Sequence, residues 1–141
     1  MIWHKEYTIE QMNKMCEKTM LEHLDIKIEE VQEDTLIGSM PVDHRTHQPF
    51  GILHGGANCV LAESLGSLGA NLTLDPEKHH AVGLNISTNH VKAVRNGRVR
   101  GEARPIHMGK TTQLWNIKTY NSKGELTSDS QLGLMILPKK V

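Results

Sequence analysis

The length, composition and charge of the chain limit what it can be. Its 141 residues and 15.8 kDa predict one domain over residues 1–141, and 16 basic against 16 acidic residues give zero net charge. Zero net charge argues against nucleic-acid binding, and no apolar run is long enough to span a membrane. The N-terminus lacks a signal-peptide pattern, and two cysteines form no disulfide framework. We expect a cytoplasmic protein without nucleic-acid or membrane partners.

Short elements are predicted at the start of the chain. Thr8 and Gln11 form a capping-box pattern, which predicts a helix from Thr8 to about residue 17. Apolar residues at positions 20, 21 and 24 predict another turn or two of helix. Residues 26–28 alternate, and residues 35–40 are the expected partner strand, which Pro41 ends. Residues 41–53 have no periodicity and are expected to form a loop.

One long helix is predicted from Gly55 to about Leu74, before Asp75-Pro76 ends it. Its apolar residues recur at spacings of three and four and form one stripe, Ala57, Leu61, Leu65, Leu68 and Leu72. Aromatic residues are only 4% of the chain, so the expected core is aliphatic.

The remainder of the chain indicates strands. Residues 82–88, 98–104, 113–118 and 132–136 have strand character, with Asn96-Gly97 predicted as a hairpin turn and Ser122-Lys123-Gly124 as another turn. Consecutive strands joined by short turns favour an antiparallel sheet, which must cover the long helix. The predicted class is α+β.

Several common signatures of active sites are weak here. Ser64 imitates a nucleophile elbow, but that motif needs a strand before the serine, and Ser64 lies in the predicted helix. The pairs His44/His47 and His79/His80 fall in predicted loops without a ligating cysteine, which favours solvated histidines over a metal site. Cys59 is interpreted as a small buried packing residue rather than an activated thiol.

Glu63 is an acid in the middle of a helix built from Ala, Gly, Ser and Leu. No Lys or Arg occurs between residues 46 and 77 to pair with it locally, and burying an unpaired carboxylate is costly. Helical spacing places Glu63 and Ser67 on one face, opposite the leucine stripe, together with small residues at positions 56, 60, 66 and 70. The residues alone leave an idle surface acid and a functional acid equally open.

Two glycines, Gly55 and Gly56, follow His54 at the start of the same helix. Unobstructed N–H groups at a helix N-terminus suit an oxyanion hole, although glycines also serve sharp turns and close packing. Eight residues of helix separate Gly55 from Glu63, about 12 Å at roughly 1.5 Å per residue. One helix cannot bring both groups to one carbonyl, whereas two antiparallel copies can. If both are catalytic, the protein is at least a dimer.

The segment Gln48-Pro49-Phe50-Gly51-Ile52-Leu53-His54-Gly55-Gly56, with Glu63 eight residues after Gly55, resembles the hotdog-fold acyl-CoA thioesterases. The similarity runs nearly end to end and is greatest to the branch that contains 1,4-dihydroxy-2-naphthoyl-CoA hydrolases and the proofreading thioesterases of enterobactin synthesis. It implies an antiparallel sheet wrapped round one long central helix, and a homotetramer of two dimers. It also implies hydrolysis of an aryl-CoA or medium-chain acyl-CoA to the free acid and coenzyme A, without a metal or cofactor.

The resemblance also implies roles for individual residues. Glu63 would attack the thioester carbonyl or activate water, and the N–H of Gly55 from the other subunit would polarise that carbonyl. His54 and Gln48 would position the thioester, and Ser67 would orient the water or the Glu63 carboxylate. The implied substrate contacts are Ser64 near the acyl pocket, Gly83 at the pantetheine arm, and His90, Val91, Lys92, Ala93, His107, Met108, Gly109, Lys110, Thr111 and Thr112 for coenzyme A.

Two alternatives to thioester hydrolysis stay open at this point. Residues 90–110 carry six basic residues against Glu102 alone, which fits either a solvated strand face or a site for phosphates. A hotdog hydratase or dehydratase would share the fold with a different acid and histidine constellation. A module that binds acyl-CoA without hydrolysing it is the alternative from another class.

Overall fold

The structure is a computed structural model that describes residues 1–140. Six strands and three helices follow one another along the chain, in the order α1 (Ile9–Met15), α2 (Met20–His23), β1 (Lys27–Val31), β2 (Leu36–Pro41), α3 (Gly55–Leu72), β3 (His79–His90), β4 (Arg98–Met108), β5 (Thr112–Tyr120) and β6 (Leu126–Pro138). Among the described residues, no helix is both long and apolar enough to cross a membrane.

The predicted capping box is present at the start of α1. The Thr8 hydroxyl accepts a hydrogen bond from the N–H of Gln11, and the Gln11 side chain accepts one from the N–H of Thr8, both at 3.1 Å. The helix ends at Met15, two residues before the predicted end, and Lys18 has a φ of 59°. This left-handed residue turns the chain into α2, which confirms the predicted second helical segment.

The six strands form one antiparallel sheet in the order β1-β2-β4-β5-β6-β3. The prediction of a hairpin at Asn96-Gly97 is therefore wrong, because β3 lies at one edge of the sheet and β4 lies three positions away. Gly97 does turn the chain, with a φ of 78°, and its carbonyl accepts a hydrogen bond from Val42. The turn separates two strands that belong to different parts of the sheet.

The prediction that His79 and His80 lie in a loop is also wrong. Both begin β3, where His79 pairs with Pro138 and His80 with Leu137 of β6. The strand starts early because β6 extends far enough to supply backbone partners. The Asn71 side chain reinforces this start, since it both accepts from the N–H and donates to the carbonyl of Ala81.

Helix α3 packs into the concave side of the sheet through glycines on both surfaces. The Leu65 side chain lies 2.7 and 2.6 Å from where a Cβ would stand at Gly38 and Gly101. On the helix, a Cβ at Gly69 would lie 2.7 Å from the Trp115 ring. Side chains at these three glycines would push helix and sheet apart, so the close approach requires glycine.

The core around α3 differs from the predicted pattern in two respects. Leu61, Leu65 and Leu72 are buried as predicted, but Leu68 is only partly buried on another side of the helix. The core is not purely aliphatic, because Trp115 is 0% exposed and stacks on Trp3 with ring centroids 6.3 Å apart. The whole arrangement, an antiparallel sheet wrapped round one 18-residue helix, is the hotdog fold that the resemblance implies.

Strand β3 is an edge strand of 12 residues that is exposed along most of its length. Leu84 is 58% exposed and Val82 is 38% exposed, although both belong to an alternating apolar pattern. The register with β6 shifts between Gly83 and Asn85, which is a β-bulge beside the middle of α3. Within the described residues, the backbone groups on the outer side of this edge have no neighbouring strand to pair with, so the edge is open to a second strand.

Candidate active site

The N-terminus of α3 has a single free N–H group rather than the several predicted from its two glycines. The His54 imidazole caps the helix, since its Nδ1 accepts the N–H of Gly56 at 2.7 Å. This contact fixes the proton of neutral His54 on Nε2. Within residues 1–140, the N–H of Gly55 has no hydrogen-bond acceptor. Gly55 therefore keeps a donor available at the positive end of the helix dipole.

A cavity of about 280 Å³ lies in front of this N-terminus. The loop before the helix is held tightly, because the N–H groups of Gln48 and Gly51 bond to carbonyls within it and Gly51 adopts a φ of 78°. The Gln48 side chain oxygen accepts the N–H of Phe50. Predicted site residues that line the cavity are Gln48, Gly55, His90, Val91, Lys92 and Ala93.

Glu63 lies in a second, separate depression, an open and largely apolar groove of about 570 Å³. Ser64 and Ser67 line the same groove, which confirms that Glu63 and Ser67 share a face of α3. Glu63 is exposed, and among the described residues it forms no ion pair. Glu63 therefore contributes no ion pair to the described part of the fold and is a candidate for the catalytic carboxylate.

The small residues predicted to share the face of Glu63 are divided between two sides of the helix. Gly56 and Val60 are on the open side, but Gly66 and Ala70 are buried against the sheet. A Cβ at Gly66 would lie 2.7 Å from Leu132, so this glycine serves close packing. The prediction for Gly66 and Ala70 is wrong because the helix approaches the sheet through small residues as well as leucines.

Gly83 lies directly beside the catalytic candidate. A Cβ at position 83 would stand 2.6 Å from Oε1 of Glu63, so the carboxylate rests against the bare backbone of β3. Only glycine leaves that space, and the β-bulge after Gly83 bends the strand at the same place. Gly83 therefore shapes the position of the Glu63 side chain.

The third group of predicted residues surrounds the turn between β4 and β5. His107 and Met108 end β4, Gly109, Lys110 and Thr111 form the turn, and Thr112 begins β5. The N–H of Gly109 bonds to the carbonyl of Thr112 at 2.9 Å, and a Cβ at Gly109 would meet the His107 ring at 2.7 Å. Gln113, which follows the turn, donates to Thr73 just after the end of α3. The turn therefore lies at the C-terminal end of α3, and the cavity with Gly55 lies at the N-terminal end.

Most of the six basic residues within residues 90–110 form ion pairs with acids. Arg98 pairs with Asp25, Arg100 with Glu102, and Lys92 with Glu125. The hydrogen bonds that Lys92 and Asn121 donate to Glu125 lower the pKa of that carboxyl.

Burial and neighbouring cations shift the pKa of the Asp25 carboxyl in opposite directions. Partial burial raises its pKa, but the hydrogen bond from Arg98 and the charges of Lys27 and Arg98 outweigh burial and hold it below its ordinary value. These ion pairs favour the interpretation of residues 90–110 as a solvated strand face over that of a continuous phosphate site.

The structure also places residues in the candidate site that the sequence did not single out. Met15, Met20 and Leu21 bring the N-terminal helices over the groove beside Glu63, and Met15 and Met20 are 63% and 58% exposed. Their exposure could not be predicted from the sequence, because apolar residues of short helices usually face the core. Cys59, predicted as buried, is only half-buried, and its thiol donates to the Thr88 hydroxyl at 3.4 Å.

Comparison with known proteins identifies the family of this chain. Residues 50–128 match the family described as the thioesterase superfamily. The chain is 48% identical over 137 residues to 1,4-dihydroxy-2-naphthoyl-CoA hydrolase of Escherichia coli, covering 97% of this chain and 100% of that protein. It is 44% identical to the proofreading thioesterase EntH of Cronobacter sakazakii, covering 97% of this chain and 99% of that protein.

A solved structure extends the similarity to three dimensions. A thioesterase from Haemophilus influenzae superimposes with a TM-score of 0.95 at 41% sequence identity, covering 98% of this chain and 96% of that one. Fold and sequence agree along nearly the full length. The chain therefore belongs to the thioesterase superfamily.

Proposed function

We propose that the protein is an acyl-CoA thioesterase that hydrolyses an aryl-CoA or a medium-chain acyl-CoA to the free acid and coenzyme A. The observation that carries this proposal is Glu63, an exposed carboxylate without a cationic partner among the described residues, in an apolar groove. Membership of the superfamily and relatives that are named as hydrolases of thioesters support the same reaction.

The reaction needs an attacking group on one side of the thioester carbonyl and a hydrogen-bond donor for its oxygen. Glu63 either attacks the carbonyl carbon itself or removes a proton from the water that attacks, and Ser67 orients the water or the carboxylate. The N–H of Gly55 stabilises the negative charge that develops on the carbonyl oxygen. Collapse of the tetrahedral intermediate breaks the C–S bond, and coenzyme A leaves as the thiolate. Where Glu63 is the attacking group, this step leaves an anhydride of Glu63, and water then hydrolyses it to the free acid and the restored carboxylate.

The two groups must come from different protomers. In one chain Gly55 and Glu63 line separate depressions, and about 12 Å of helix divides them. Antiparallel pairing of two β3 edges would place the His90 end of one strand beside the His79 end of the other. The cavity with Gly55 and Gln48 would then face Glu63 of the partner subunit.

The same pairing would assemble the coenzyme A contacts. The segment from His90 to Ala93 lies at one end of β3, and the turn from His107 to Thr112 lies near the other end. A two-fold axis through the middle of β3 would bring the segment of one protomer and the turn of its partner to the same mouth. Lys110 and Lys92 are the cations we assign to the phosphates, and a phosphate at Lys92 must displace Glu125 from it. We infer a homotetramer of two such dimers.

The acyl group is assigned to the groove beside Glu63. Its lining is mainly apolar and includes Ser64 at one point, which suits a ring or a medium chain rather than a charged acid. Methionines adapt their flexible side chains to flat or branched ligands, so Met15 and Met20 fit an aryl substrate as well as an aliphatic one.

A thioester panel tests the proposal. Hydroxynaphthoyl-CoA, benzoyl-CoA, hexanoyl-CoA and acetyl-CoA are supplied to the wild type and to Glu63→Gln, and thiol release is followed with a trapping reagent. We expect turnover of the first three substrates, and a loss of at least about 1,000-fold in Glu63→Gln, because the reaction loses its base or nucleophile.

The matched control is Glu77→Gln, an exposed acid beyond the end of α3. Its rates should equal those of the wild type. Full activity in Glu63→Gln would remove Glu63 from the mechanism. Saturable binding of the acyl-CoA without thiol release would favour a binding module, and hydration of crotonyl-CoA would favour a hydratase.

A further inference from the structure

Asn58 is a buried polar residue on the helix that also forms the candidate active site. It lies one turn into α3, is 4% exposed, and lines the cavity in front of Gly55. Its Nδ2 donates to Nδ1 of His90 at 3.3 Å, while its Oδ1 has no hydrogen-bond partner within residues 1–140. An apolar residue of similar size would avoid this unpaired oxygen, so packing alone does not account for asparagine at this position.

His90 is held in a specific place by this contact. Its ring lies on the bare backbone of Gly55, where a Cβ would stand 2.8 Å from Nε2. Because the amide of Asn58 donates to Nδ1, the neutral imidazole carries its proton on Nε2. Nε2 therefore lies against the backbone of Gly55, whose N–H has no acceptor among the described residues.

Rotation of the Asn58 amide by half a turn would not remove the unpaired atom. Oδ1 would then accept from Nδ1–H of His90, and Nδ2 would be left buried instead. The two orientations correspond to opposite tautomers of His90, and the structure has the one in which Nδ2 faces Nδ1 and the ring proton is on Nε2. A hydroxyl or a methyl group at position 58 could not impose that choice from the same distance.

We propose that Asn58 is a positioning residue for thioester hydrolysis, which keeps the His90 proton on Nε2 and holds that N–H beside Gly55, where it donates to an oxygen of the bound thioester. The inference rests on the proposed function for its substrate, but the state of His90 can be measured without any substrate. Asn58 acts only through His90 and does not touch the reacting atoms.

The first test is the tautomer of His90, read from the ¹⁵N shifts of its ring in histidine-labelled protein at about pH 8.5, where imidazole is neutral. His90→Gln identifies the resonance. We expect the Nε2–H form in the wild type, a mixture of tautomers in Asn58→Leu, and the Nδ1–H form in Asn58→Asp, because a carboxylate can only accept. Cys59→Ala, at the next helix position, should retain the wild-type tautomer.

The second test is a double-mutant cycle on thiol release. Asn58→Leu should lower kcat about tenfold with little change in KM, and it should have no effect in a His90→Ala background, since its action passes through His90. Additive losses, or a wild-type tautomer in both Asn58 variants, would overturn the proposal. If the wild type hydrolyses no thioester, the proposed function fails while the tautomer measurements still decide the role of Asn58.

Discussion

Substituting Gly83 with alanine should move the Glu63 carboxylate while leaving the fold intact. The new Cβ would lie 2.6 Å from Oε1 of Glu63, so the carboxylate must retreat by about 0.8 Å to reach an ordinary contact of 3.4 Å. The atom that must move is the end of a flexible side chain, and removing a glycine lowers the entropy of the unfolded chain. The melting temperature should therefore stay the same or rise slightly.

The expected loss lies in catalysis. A misplacement of this size at a reacting group costs about 10- to 100-fold in kcat, because attack on a carbonyl depends steeply on distance and angle. Thiol release from benzoyl-CoA at saturating substrate measures it. Gly133→Ala on the neighbouring strand is the control, since its Cβ would meet nothing closer than the Asn85 carbonyl at 3.9 Å. Equal kcat values for Gly83→Ala and Gly133→Ala would refute the assigned position of Glu63.

Three further changes test the fold and the groove. Gly69→Ala would place a Cβ 2.7 Å from the rigid Trp115 ring, so urea unfolding should show a loss of about 1–3 kcal/mol. The Asp25 pKa is lowered by folding, so its contact with Arg98 stabilises the protein above about pH 4 and is lost as pH falls further. Asp25→Asn should therefore unfold more readily than the wild type at pH 7, and the difference should shrink progressively as the pH falls below about 4. Met20→Ser should lower kcat/KM for hexanoyl-CoA about fivefold relative to acetyl-CoA.

The parts of the fold that local chemistry determines could be predicted from the sequence. The capping box at Thr8 started a helix, and the glycine-led periodic segment from Gly55 formed the long helix. The face shared by Glu63 and Ser67 also followed from helical spacing alone. These features depend on residues within one or two turns of each other, so the sequence contains the information that sets them.

The features that depend on strand order could not be predicted in the same way. Asn96-Gly97 has strong hairpin chemistry, yet it joins strands from different parts of the sheet, because β6 takes the place beside β3. The buried position of Gly66 and the half-buried position of Leu68 depend on where the sheet touches the helix. Met20 lies over the groove because of how α2 follows α1, which periodicity does not specify.

The N-terminus of α3 was predicted correctly in one respect and wrongly in another. Two glycines predicted several free N–H groups, but the His54 ring takes the N–H of Gly56 and leaves Gly55 alone as a donor. The composition of the turn was therefore informative, while the rotamer of a capping side chain decided how many donors remained. The contact of Asn58 likewise could not be predicted, since it joins this residue to His90, 32 residues further along the chain.

We propose that each catalytic centre takes Glu63 from one protomer and Gly55, with its capping His54, from the other. It is tested by co-expressing Glu63→Ala and His54→Ala chains with different affinity tags and isolating the mixed oligomers. Each mixed dimer would hold one doubly altered site and one intact site, so its activity should be about half that of the wild-type dimer. Mixed oligomers no more active than the two parent variants would contradict a site shared between protomers.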